Sequence, residues 1–157
     1  MIVVSNSTPL ISLSKIGKIS LLQDMFGKVF IPSAVFNEVV VHGKRRPGWD
    51  LPGFIETKHL VNMMAVQVLQ AQLDYGESEA IVLAKEMNAD LLILDEKKAR
   101  RIAQLNGITV IGTIGVLQKA KDKGILNSMK TCLDGMIKNG VWLDEKLYQF
   151  ILKQNNE

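Results

Sequence analysis

Residues 90–101 read Asp90-Leu91-Leu92-Ile93-Leu94-Asp95-Glu96-Lys97-Lys98-Ala99-Arg100-Arg101. Four consecutive apolar residues bounded by aspartates are the pattern of a strand buried on both faces, as in parallel sheets covered by helices. The charged segment after Asp95 predicts a helix to about Leu105, with Gly107 ending it. Ile108-Thr109-Val110-Ile111 reads as the next strand, followed by a helix from Thr113 to about Lys123. Working back toward the N-terminus, Asp74-Tyr75-Gly76-Glu77 opens a helix with apolar positions Ala80, Ile81, Ala84 and Met87, and another helix covers Val61 to Gln72. Short strands are expected at Ile2-Val3-Val4, at Val29-Phe30-Ile31 and around Phe54-Ile55. A helix opened by Pro9 is interrupted at Gly17, and a second, begun by Pro32 and Ser33, runs to about Val41. Two helices, about 127–138 and 144–154, fill the remainder. This alternation predicts an α/β fold: a single domain over 1–157, a mostly parallel central sheet flanked by helices, and a helical extension over about 124–157.

Composition narrows the functional classes. The chain has 157 residues, 47% hydrophobic and 22% charged, which argues against disorder. The one cysteine, Cys132, excludes an intramolecular disulfide and a cysteine zinc cluster, and suits a reducing, cytoplasmic setting. No basic leader precedes the first apolar residues, so a signal peptide is not expected. The longest uncharged run, Ile102 to Gln118, contains Gln104, Asn106 and three glycines, too polar for a membrane span. A net charge of +3 permits a nucleic-acid partner without requiring one.

Right-handed crossovers put the carboxyl ends of all parallel strands on one edge, where open α/β folds place their sites. Asn6 and Asp95, each just past a strand, should face one crevice. Two helix residues join them as candidates, Glu38 and Glu77. Each of the four also has an ordinary local reading. Asn6, like Ser7 or Thr8, suits the cap of the first helix. Glu38 and Asn37 could form a polar stripe on an otherwise apolar helix. Asp74-x-x-Glu77 resembles a capping box, and Asp95 could cap the helix that follows it. Glu79 and Glu96 are second-choice acids. Glu77 and Glu79 lie about 200° apart on a helix, so both cannot enter one site; Glu77 shares a face with Ala80, Ile81 and Ala84, which leaves Glu79 to solvent. Carboxylates gathered in one crevice need a neutralising cation, and hard oxygen donors select Mg²⁺ or Mn²⁺ over zinc.

Four stretches carry a family resemblance: Val4-Ser5-Asn6-Ser7-Thr8-Pro9-Leu10, Pro32 to Val39, Leu73 to Ile81, and Leu92 to Arg100. Gly115-Val116-Leu117, Ala120-Lys121 and Leu143 to Tyr148 extend it over nearly the whole chain. The sequence resembles PIN-domain proteins, the fold of the VapC-like toxin ribonucleases, and within them a prokaryotic PIN-like subfamily. The resemblance implies a metal-dependent endoribonuclease, the toxin of a toxin–antitoxin pair, with RNA as substrate, a small antitoxin protein as partner and a homodimeric state. Carried over by position, Glu38, Glu77 and Asp95 are the catalytic acids, and with Asn6 they form the metal-binding set, Glu79 being the alternative to Glu77. Asn6 stands where the family has its first aspartate. It offers a carbonyl oxygen but no charge, which weakens metal binding and raises the alternative of a silent binding module on the same fold.

The basic residues Lys97, Lys98, Arg100 and Arg101 follow Asp95 directly and could hold RNA phosphates, or form an ordinary solvated face. Lys44, Arg45 and Arg46, in a loop with Trp49, could clamp a single strand. His42 and His59 are isolated and receive no ligand role. A receiver-like signalling domain would need an acidic pair after the first strand, and Ser5-Asn6-Ser7 lacks one. A dinucleotide enzyme would need a Gly-x-Gly-x-x-Gly turn, which is absent.

Overall fold

The computed structural model describes residues 1–41 and 50–157. Five parallel strands form one sheet in the order β3-β2-β1-β4-β5: β1 Val3–Ser5, β2 Val29–Pro32, β3 Ile55–Lys58, β4 Leu91–Ile93 and β5 Val110–Ile111. The chain builds outward from β1 to β3 on one side, then returns to pair β4 with β1 on the other. The pairs Val3–Leu91, Val4–Leu92 and Ser5–Ile93 align the two central strands, and Asn6 N–H extends the ladder to Ile93 O at 2.9 Å. The strand order reverses between β1 and β4, so the crevice at their carboxyl ends is the switch point where such sheets bind ligands.

Period-two alternation divides the core. Val3, Ile31 and Ile93 pack on one face with Leu10, Leu13, Val116, Leu117, Leu133 and Ile151, whereas Val4, Leu92 and Leu94 pack on the other with Ala80, Ile81, Ala99 and Ala103. The first face is covered by α1 Ser7–Lys15, α2 Ser20–Phe26, α7 Thr113–Asp122, α8 Met129–Lys138 and α9 Glu145–Gln154; the second by α5 Tyr75–Glu86 and α6 Lys97–Leu105, with α4 Met63–Leu69 packed on α5. Every expected strand is present, its ends displaced by up to three residues, and the helix expected from Pro9 begins at Ser7. The helix expected from Pro32 to Val41 is not uniform. It is a single α-turn, α3 Ser33–Phe36, that widens into a π-turn over Asn37–Val41. Such turns sit frequently at functional sites, and this one carries Glu38. Among the described residues, no helix is long and apolar enough to cross a membrane.

Candidate metal centre

The crevice begins at Asn6. Its backbone is extended (φ −80°, ψ 172°) at the cap of α1, the place where an asparagine oxygen normally accepts a helix N–H. Here it makes no such bond. Asn6 is only 4% exposed, and its Oδ1 is the one buried side-chain polar atom among the described residues without a hydrogen-bond partner. The capping reading therefore fails for this side chain. A buried carbonyl oxygen without a donor is costly, and a cation is one group that would satisfy it.

The next residue reaches a carboxylate from another element. The Ser7 hydroxyl donates to Glu38 Oε2 at 2.6 Å. Glu38 is half-buried while Asn37 beside it is exposed, so the two do not form a shared solvent stripe. Its second oxygen, Oε1, lies against the bare Cα of Gly76 in the first turn of α5. One residue on is Glu77, which is buried. The expected capping box is present: Glu77 N–H donates to Asp74 Oδ1 at 2.7 Å, and Asp74 N–H to Glu77 Oε2 at 3.2 Å. Burial pushes the Glu77 carboxyl above its ordinary range, and the charges of Asp74, Glu96 and Glu38 push it the same way. The acids of the early and central helices thus feel one another.

Asp95 does not cap the helix that follows it. Glu96 does, accepting from Ala99 N–H at 2.6 Å. Asp95 instead binds across the sheet edge to the start of α7, accepting from Thr113 N–H at 2.7 Å and from the Thr113 hydroxyl at 2.6 Å. Gly112 lies under the same carboxylate, beside the Arg100 guanidinium. Arg100 is half-buried and lines a recess with Asp95, Gly112 and Leu147. It also lines a neighbouring recess with Glu96, Lys97, Lys98, Arg101 and Gln104, so the basic face of α6 is continuous with the Asp95 side of the crevice. Lys44, Arg45, Arg46 and Trp49 lie outside the described residues.

The expectation that Glu79 faces solvent is wrong. Glu79 is 3% exposed, and its Oε1 accepts the Ala34 N–H at 2.9 Å, capping α3. The reason is that α5 is buried on every side from Gly76 to Ala84, with α3 seated on the face that a sheet-only picture leaves open. Glu77 and Glu79 do point to different neighbours, as helix geometry requires. Sequence reasoning missed three supporting residues, Ser7, Gly76 and Thr113. Ser7 and Thr113 were visible only as helix starts, and their carboxylate partners are distant in the chain.

Among the described residues, no three His, Cys, Asp or Glu side chains are arranged as a ready metal cage. The donors nevertheless fit a hard cation in kind: an orphaned buried carbonyl on Asn6 and, beyond Ser7, the Glu38 carboxylate, whose charge reaches Glu77, while Asp95 stands at the carboxyl end of the neighbouring strand β4, engaged by Thr113. No curated protein and no solved structure matches the chain. A family model described as a PIN domain matches residues 2–157. PIN domains have a nuclease fold, generally use divalent metal ions and act on RNA or DNA. With that match across the parallel sheet and its acidic switch point, the chain belongs to the PIN-domain family.

Proposed function

We propose that the protein is a metal-dependent endoribonuclease. The observation that carries this reading is the unpartnered, buried Asn6 oxygen at the carboxyl end of β1, next to a serine that holds Glu38. Asn6, Glu38, Glu77 and Asp95 would hold Mg²⁺ or Mn²⁺. When bound, the ion supplies a more acidic water and neutralises charge on the scissile phosphate. The protein's own part is orientation: Ser7 fixes Glu38, Thr113 fixes Asp95, and the Asp74 box fixes Glu77. Arg100, with Lys97, Lys98 and Arg101, offers positive charge to the phosphates that flank the cleavage point. Hydrolysis would leave a 5′-phosphate and a 3′-hydroxyl. In a toxin–antitoxin pair, a small antitoxin would act by obstructing this crevice.

The test is cleavage of single-stranded and structured RNA by the purified chain with Mn²⁺. Cleavage is expected to stop with EDTA and in Asp95→Asn. No cleavage by wild-type protein, or cleavage indifferent to both treatments, overturns the reading. Asn6 favours a second reading, a silent RNA-binding module, because a neutral ligand leaves the site one charge short. EDTA-insensitive RNA binding without cleavage is the outcome that would select it.

A further inference from the structure

Glycine in the first turn of a helix is a costly choice unless something requires it, because it surrenders more backbone entropy than alanine. Gly76 is the second residue of α5, and its φ lies outside the left-handed region, so the backbone makes no demand for it. The demand comes from the space above its Cα. A Cβ built there would fall on Glu38 Oε1 and lie 2.9 Å from Glu38 Cδ. Gly112 repeats the arrangement at the second acid. It sits in ordinary extended backbone (φ −93°, ψ 177°) at the cap of α7, and a Cβ there would lie 2.9 Å from Asp95 Oδ1 and 3.2 Å from Arg100 Nη1. The other described glycines meet aliphatic side chains or nothing at all.

We infer that Gly76 and Gly112 are positioning residues of the candidate metal centre: their bare Cα atoms seat the carboxylates of Glu38 and Asp95. This rests on the metal-site reading above. On this account Gly76 is kept against local helix preference, and the effect of each glycine passes through the carboxylate it admits. Gly76 and Ser7 grip opposite oxygens of Glu38. A methyl group at position 76 would turn the side chain away from the crevice without disturbing the helix, because the obstructed atom is the free end of a flexible chain.

The experiment measures Mn²⁺ binding to the full chain by the paramagnetic resonance of free ion, alongside thermal melting. Gly76→Ala is expected to melt at or above the wild-type temperature, yet to bind Mn²⁺ about tenfold or more weakly, the size typical of lost support around a metal ligand. Glu38→Asp supplies the discriminating readout. Alone it should weaken Mn²⁺ binding, since the shorter carboxylate falls away from Ser7. In the Gly76→Ala background it should strengthen binding, since the shorter chain clears the added methyl. Wild-type affinity in Gly76→Ala, or a Glu38→Asp change that is harmful in both backgrounds, overturns the inference. If Gly76→Ala does not fold, Gly112→Ala carries the same test at Asp95: weakened binding supports the inference and unchanged binding refutes it. The parent reading fails separately, if Glu38→Gln binds Mn²⁺ as wild type does.

Discussion

Asn6 occupies a cap position and does not cap, and that mismatch is the most informative feature at the scale of single residues. Its oxygen is buried beside a serine committed to Glu38, so the side chain is held for something other than helix α1. An aspartate there would add a full, buried negative charge next to the serine that holds the Glu38 carboxylate. Without a cation, Asn6→Asp should therefore destabilise the fold, by about 1–3 kcal/mol on the scale of an unsatisfied buried group. With Mn²⁺ the variant should recover more stability than wild type gains, because a charged ligand binds the ion more strongly than a neutral carbonyl does. Melting in EDTA and in Mn²⁺ checks both halves: the variant should melt below wild type in the first and gain more than wild type in the second. Equal melting in both media would mean that the side chain does not face the ion.

The π-turn after α3 determines where Glu38 points, and α3 is itself held by α5. The Glu79 carboxylate on Ala34 N–H is the polar part of that joint, and the influence of the same carboxylate pushes the Tyr75 phenol above its ordinary range. Removing it leaves a buried backbone donor unpaired. Glu79→Ala should cost about 1–3 kcal/mol in urea unfolding, and Glu79→Gln less, since an amide oxygen can still accept. Elements were largely legible in the sequence, because apolar runs such as Leu91 to Leu94 and punctuation such as Pro32 and Gly107 are local signals. The candidate acids were legible as well, as polar residues at strand ends and helix starts. What the sequence hid was reach. Nothing near Glu79 says that α3 will dock on it, nothing near Asp95 points to Thr113, and a π-turn has no signature in Asn37-Glu38-Val39-Val40-Val41 that separates it from an α-helix.

At the scale of the whole molecule, the last two helices complete the core on the β1–β4 sheet face through Met129, Leu133, Ile151 and Leu152. They are closed by polar contacts that converge from three elements. Asn155 and Gln118 exchange hydrogen bonds, the Tyr148 hydroxyl donates to Asp134, and Glu157, just past α9, returns to cap α8. The Glu157 carboxylate accepts from Met129 N–H at 2.9 Å, from the Ser128 hydroxyl at 2.8 Å and from Lys130 N–H at 3.1 Å, with Lys121 Nζ at 3.5 Å. Burial opposes its charge, but these donors outweigh burial and hold its carboxyl down at about 2, against an ordinary 4.5. A carboxyl depressed in the folded state binds fewer protons there than in the unfolded chain. Its contribution is therefore complete above the ordinary value and is lost as pH falls toward the depressed one. Glu157→Gln should lower the melting temperature at neutral pH, and the gap to wild type should close as acid is added, between about pH 4.5 and pH 2. Parallel melting series of the two proteins across that range measure it. A gap that stays constant into acid would assign the contact's worth to shape and hydrogen bonding alone, with no part for the charge.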